Sequence, residues 1–182
     1  IDDYKGAFMA TEHLVKQGYR RIAHISGPRH LKNFYDRSSG YIGALHANKL
    51  EIDHSLIYNG NISIESGREG TRHLLSLTNP PDAIFATEDF TALGVIKELK
   101  EKGIKIPEEF GVVGFANELF GEHITPTLST VDQQTIGMGR SALNLLLAII
   151  EKRDIDHHIK QKIVLEPVLI CRDSSNRTKM NK

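Results

Sequence analysis

Apolar residues in this chain recur in two rhythms that keep exchanging places, and the exchange is clearest between Asp82 and Asn117. DAIFAT is a short apolar run of the kind that forms a buried strand, and TEDFTALGVIKELKEKG then shifts to helical spacing. Ala92, Leu93, Ile96 and Leu99 recur at helical intervals and make one apolar stripe. Lys100 and Lys102 sit in the last turn, where a cation complements the carbonyl end of the helix dipole. Gly103 can take the left-handed conformation that ends helices, and Pro107 blocks any continuation. FGVVGF then reads as a second buried strand. Strand, helix and strand in this order predict a βαβ unit with parallel strands.

The same alternation runs through the rest of the chain. DYKGAFMATEHLVKQG predicts a helix with Ala7, Phe8, Thr11, Leu14 and Val15 inward and Gly18 at its end. RRIAHISG predicts the strand it feeds, ended by Gly27-Pro28. FYDRSSGYIGALHANKL returns to helical period through Phe34, Tyr41, Leu45 and Leu50, and SLIYNG predicts a third strand. A helix capped by Ser63 follows, broken by Asn79-Pro80-Pro81. Beyond GFAN, TLSTV predicts a short strand and TIGMGRSALNLLLAIIEKRD the most hydrophobic helix of the chain. DIDHHIKQ reads as a loop, IVLEPVLICRD as a final strand or strand pair, and SSNRTKMNK as a frayed polar tail. The class is therefore α/β, with a mainly parallel sheet covered by helices on both faces.

Composition narrows the function. The chain has 182 residues, enough for one domain or one and a part. Lys+Arg and Asp+Glu balance at 23 each, so nothing supplies the basic face of a nucleic-acid-binding surface. The single cysteine, Cys171, cannot form an internal disulfide, which favours a reducing compartment. No apolar run reaches transmembrane length, and IDDYKGAFMATEHL lacks a basic-then-apolar signal pattern. A cytoplasmic protein with no membrane partner is expected. The chain also lacks an initiator Met and opens almost inside a helix, as an excised piece would.

Motifs that carry chemistry are sparse. Gly137, Gly139 and Ala142 match the G-x-G-x-x-A dinucleotide fingerprint, but polar DQQT precedes them where a buried strand is required. No phosphate-cradling G-x-x-x-x-G-K-S/T and no G-x-S-x-G occur. His157-His158 have no Cys or carboxylate at ligand spacing, so no metal site is expected. Cys171 reads as a buried small hydrophobe with no base pointed to by the sequence. Asn61-Ile62-Ser63 and Asn176-Arg177-Thr178 match a glycosylation acceptor that a cytoplasmic chain would not use. No enzyme activity and no cofactor are expected.

What remains is a polar set at the carboxyl ends of the strands, where open α/β sheets bind ligands. It comprises Asn33, Arg37, Ile62, Ser63, Glu88, Asp89, Ala116 and Asn117. Arg37 can offer a bidentate fork to hydroxyls or a carboxylate. Glu88 and Arg37 read as ligand contacts, whereas Asp89 reads as the cap of the following helix.

The stretches GAFMATEHLVKQGYRRIAHISGP, RSSGY, PDAIFATEDFTALGVIKELKEKGIKIPEEFGVVGFAN and TPTLSTVDQQTIGMGRSALNLLL resemble the effector-binding domain of LacI/GalR-family bacterial transcription regulators. The resemblance covers nearly the whole chain. It implies a two-lobed, periplasmic-binding-protein-like type I fold whose cleft takes a small effector, often a sugar. It implies a homodimer whose operator DNA is read by a headpiece absent from this chain. Residues 1–131 would be largely the second lobe, 132–158 a segment of the first, 159–172 the returning strand and 173–182 a flexible tail. The exposed ALNLLLAII helix would dock back on its own lobe or pair with another chain.

The matching pattern points to Asn33, Arg37, Glu88, Phe115 and Gln133 as effector contacts, with Ile62 and Asn117 beside them. Three positions depart from the family. Glu88-Asp89 stands where an Asn-Asp pair is common, Ala116-Asn117 where Asp-Asp is common, and Ile62 where many members place an aromatic ring. A polyol or sugar derivative with a cationic or hydroxyl-rich group facing Glu88 is the implied ligand. A periplasmic sugar-binding protein of a transport system shares the fold and is the competing reading. An enzyme on a similar sheet is a third.

Overall fold

The computed structural model describes residues 1–151 and 162–177. In chain order the elements are α1 (Asp3–Lys16), β1 (Ile22–Ser26), α2 (Lys32–Ala47), β2 (Ile57–Asn59), α3 (Ile64–Leu75) and β3 (Ala83–Ala86). Then follow α4 (Asp89–Glu101), β4 (Gly111–Val113), β5 (Thr130–Asp132), α5 (Thr135–Ile150) and β6 (Val168–Ile170). The first four strands pair in parallel in the order β2-β1-β3-β4. β5 continues beside β4, through parallel bridges Val113–Ser129 and Ala116–Asp132 and the bonds Gly114 N to Ser129 O (2.8 Å) and Ala116 N to Val131 O (2.9 Å). β6 closes this edge antiparallel to β5.

The sheet is buried on both faces because successive side chains of a strand point to opposite sides. Along β3, Ala83 and Phe85 join the core under α1 and α2, while Ile84 and Ala86 join the core under α3 and α4. Tyr41, Leu45, Ala7, Ala10 and Leu14 fill the first core; Leu74, Val95, Ile96 and Leu99 fill the second. The predicted α4 stripe is present, with Leu93 half-buried at its margin. In α1, Phe8 and Val15 are only half-buried, and Gly6, Ala10 and His13 take the inward places instead. Gly67 and Gly94 let α3 and α4 touch backbone to backbone: a Cβ on Gly94 would collide with the Ile64 carbonyl, and one on Gly67 with the Thr91 carbonyl.

Three expectations need correction. Of the two covers expected for helix α5, docking on its own sheet is not the one seen, since none of its residues is buried. Leu143, Leu146, Leu147 and Ile150 form one exposed stripe along it, and its Met138 and Leu145 share a groove with Ile1, Ile163 and Leu165. The tail does not start at residue 173. Ser174 and Ser175 are fully buried, Ser174 Oγ donating to Val112 O (2.7 Å) and Ser175 Oγ to Ser129 Oγ (2.7 Å). Polar composition suggested fraying, but these hydroxyls satisfy backbone and side-chain groups at the sheet's edge. Cys171 is exposed rather than buried, because it follows β6 at the outer edge. The His157-His158 loop lies outside the described residues.

Candidate functional site

In parallel units the connecting helices run opposite to the strands, so strand carboxyl ends and helix N-termini share one rim. The turns after β1, β2, β3 and β4 therefore bring Asn33, Ile62, Glu88 and Asn117 to the same edge of the sheet. Arg37 is its centre. It is 4% exposed, with Nε donating to Asp3 Oδ1 (2.8 Å), Nη2 paired to the same oxygen (2.7 Å) and Nη1 donating to Thr87 O (2.8 Å). Its guanidinium lies 3.7 Å from the centroid of the Phe115 ring. Burial pulls the Arg37 pKa below its ordinary value, while Asp3 and, more weakly, Glu88 and Asp89 hold the cation in place. Phe115 is fully buried, so it serves as the platform on which the guanidinium stacks.

The cap of α4, expected from Asp89, is Glu88, its Oε1 accepting from Phe90 N (2.9 Å) and its Oε2 from Thr91 N (3.2 Å). Asp89 caps nothing. At the first helical position its side chain turns back under the sheet, where Gly114 leaves room for the carboxylate. There Oδ1 accepts from Thr130 Oγ1 (2.7 Å) and Oδ2 from Glu118 N (2.7 Å). Burial pushes the Asp89 carboxyl up to about 6, against the pull of those two hydrogen bonds and with help from Glu88 and Glu118.

Asn33 lines a cleft of about 480 Å³ with Asp2, Asp3, Lys32, Asp36 and Lys162. Asn117, at φ 59°, donates from Nδ2 to Asp132 Oδ2 (3.3 Å) and accepts at Oδ1 from Arg172 Nη2 (3.0 Å). Gln133 is half-buried between β5 and α5. Ile62 is 44% exposed on the β2–α3 turn, outside the cluster around Arg37. The residue that sequence reasoning missed is Asp3. The signal was the Asp2-Asp3 doublet at a helix start: Asp2 caps α1 by accepting from Lys5 N (2.9 Å), which leaves Asp3 free for Arg37. Thr87 Oγ1, fully buried beside this pair, has no hydrogen-bond partner among the described residues.

Elsewhere the chemistry is quiet. The structure does supply Cys171 with an imidazole neighbour, His13 Nδ1 at 3.6 Å. Burial lowers the His13 pKa and raises that of the thiol, so the pair stays neutral and the thiol is not activated. Gly137 and Gly139 lie inside α5, not in a turn ahead of it. Among the described residues no group of three or more His, Cys, Asp or Glu is placed to hold a metal ion, and no helix is long and apolar enough to cross a membrane.

The periplasmic binding protein-like domain family matches residues 11–175. The HTH-type transcriptional repressor CytR of Escherichia coli is 35% identical over 147 residues, 81% of this chain and 43% of that protein. The solved structure of the transcription regulator CcpA of Lactococcus lactis superposes with a TM-score of 0.87 at 30% identity, over 96% of this chain and 63% of that one. This chain belongs to the periplasmic binding protein-like domain family, in its LacI-type regulator branch. A complex of the transcriptional regulator CelR with cellobiose shares the fold at a TM-score of 0.85 and 34% identity, covering 96% of this chain and 52% of that one. The chain spans about half the length of the curated regulators it matches. Within the LacI-type branch it corresponds to the effector-binding portion.

Proposed function

We propose that this domain senses a small hydroxyl-rich molecule, a sugar or sugar derivative, for a DNA-binding transcription regulator. The observation that carries this reading is the Arg37 cluster: a guanidinium stacked on Phe115 and braced by Asp3, at the carboxyl rim of a LacI-type sheet. A planar fork of this kind holds vicinal hydroxyls or a ring oxygen in a fixed orientation. Asn33, Asn117 and Gln133 add amide donors and acceptors along the rim, and Ile62 an apolar contact farther out on the β2–α3 turn. Glu88 contributes mainly its field, since both its oxygens already accept backbone amides.

Residues 1–131 then form the second lobe together with the returning β6 and the buried serines, and 132–158 belong to the first lobe, which covers α5. Effector binding favours one lobe arrangement, and in a homodimer that alters the spacing of two headpieces on operator DNA. Calorimetry on the intact protein with cellobiose, ribose and a panel of sugar derivatives tests this. At least one is expected to bind, and Arg37→Lys, which keeps charge but loses the fork, to weaken it about tenfold or more. Binding of an unrelated ligand class alone, or an affinity indifferent to Arg37→Lys, would remove the reading.

A further inference from the structure

The turn that presents Asn117 is not held by its own backbone preferences. Ala116 sits at φ 142° and Asn117 at φ 59°, both in the region that favours glycine. Something outside the turn must fix it, and three contacts converge there. Asn117 N donates to Thr130 Oγ1 (3.2 Å), that hydroxyl donates to Asp89 Oδ1 (2.7 Å), and Asp89 Oδ2 accepts from Glu118 N (2.7 Å). One buried carboxylate thus ties the start of α4, strand β5 and the turn after β4 together.

We propose that Asp89 is the positioning residue of the effector rim: its ionised carboxylate holds the Ala116–Glu118 turn and so sets where Asn117 points. The proposal rests on the effector reading for its purpose, but not for its geometry. A carboxylate can accept from both donors at once. A neutral acid, or an amide, turns one of its two positions into a donor, and either Glu118 N–H or Thr130 O–H is left without an acceptor in a dry place. The charged groups that reach Asp89 are Glu88 on its own helix, Glu118 on the turn and Arg37 from α2. With the carboxyl held up to about 6, the change falls between mildly acidic and neutral pH.

Amide hydrogen exchange on the intact protein, without ligand, tests this between pH 5 and 8. Protection factors correct for the intrinsic pH dependence of exchange, and β3 serves as the control segment. In the wild type, protection at Asn117 and Glu118 is expected to fall about tenfold from pH 8 to pH 5 while β3 holds. In Asp89→Asn it is expected to be low at every pH, with β3 again unchanged. Thr130→Val, which leaves Asp89 in place, should loosen Asn117 even if Asp89→Asn fails to fold. Protection at these two amides that is flat with pH in the wild type, or that tracks β3 in either variant, overturns the proposal. A sugar panel without binders would defeat the effector reading alone, because the exchange profile stands whether or not a ligand is known.

Discussion

Helices α4 and α5 are both rich in leucine and isoleucine, yet α4 buries a whole face and α5 buries nothing. The difference lies in what faces the apolar residues. In α4, Ala92, Val95, Ile96 and Leu99 make one stripe against Val112, Ile84 and Leu74, while Lys97, Lys100 and Glu101 face outward. In α5, Leu143, Leu146, Leu147 and Ile150 fall at the same i, i+3, i+4, i+7 spacing, yet all remain exposed, Ile150 by 65%. A stripe specifies one neighbouring surface. The α5 stripe calls for such a surface too, and among the described residues none buries it. Helix α4 finds its cover in the sheet and α3, whereas the apolar stripe of α5 stays open among the described residues.

Single truncations break the comparison most directly. Leu99→Ala is expected to cost about 2–5 kcal/mol in urea unfolding of the 182-residue chain, the usual range for a buried leucine. Leu146→Ala in the same chain should cost under about 0.5 kcal/mol, as exposed substitutions do. In the intact protein the second value should rise toward the first. A Leu146→Ala cost that is equally small in both would mean α5 has no cover to lose. Exposed leucines on this scale also promote association. Light scattering should find the 182-residue chain self-associated, and Leu143→Glu with Leu147→Glu should make it a monomer.

Acid should act on the lobe and spare α5, whose residues carry no group that titrates between pH 4 and 7. His24 is fully buried between the rings of Phe85 and Tyr41, and burial holds its pKa down at about 4. The unfolded histidine takes up its proton nearer 6.5, so between those values the unfolded chain binds more protons. Stability contributed by neutral His24 is full above about 6.5 and is lost as pH falls toward 4, by up to ~3 kcal/mol. Asp89 has the opposite sign. Its folded pKa of about 6 exceeds the ordinary 3.8 because burial outweighs the two hydrogen bonds its charged form accepts. The net stability from protonation is therefore full at low pH and lost as pH rises through 6, although the proton loosens the turn locally. The two partly cancel. Urea titrations at pH 7, 5 and 4 should show a shallow acid loss in the wild type. In His24→Gln that slope should vanish or reverse, and an unchanged slope would sever His24 from the acid response.

The sequence made the sheet and its four flanking helices legible because periodicity there reports burial that the lobe itself supplies. The rim was legible as a set of positions, since strand ends follow from strands. The roles of individual carboxylates were not. Glu88 and Asp89 are adjacent and chemically alike, and only the space left by Gly114 and the donors Thr130 and Glu118 decide which one turns inward. Asp3 was hidden because its partner Arg37 lies 34 residues away on another helix. Ser174 and Ser175 were hidden for a similar reason, since their acceptors are Val112 on β4 and Ser129 just ahead of β5. Polar residues carry no periodic mark of burial, and long-range hydrogen bonds leave no trace in spacing.

The smallest contrast concerns how the two helices begin. α4 starts from an extended Glu88 whose two oxygens satisfy amides of the first turn. α5 starts from Gln134 in the left-handed region, φ 58° and ψ 41°, with no side-chain hydrogen bond to its first turn. Glu88→Ala should therefore cost ~1 kcal/mol, the usual worth of a cap. Gln134→Gly should do the reverse, because glycine meets no Cβ penalty at positive φ. Part of that relief is offset by the greater freedom glycine gives the unfolded chain, which leaves a net gain of ~0.5 kcal/mol. Both values come from the same urea titrations used for Leu99→Ala. A Gln134→Gly that destabilises as much as Glu88→Ala would mean that the glutamine side chain, not the backbone angle, sets the start of α5, and the contrast between the two helix starts would fall.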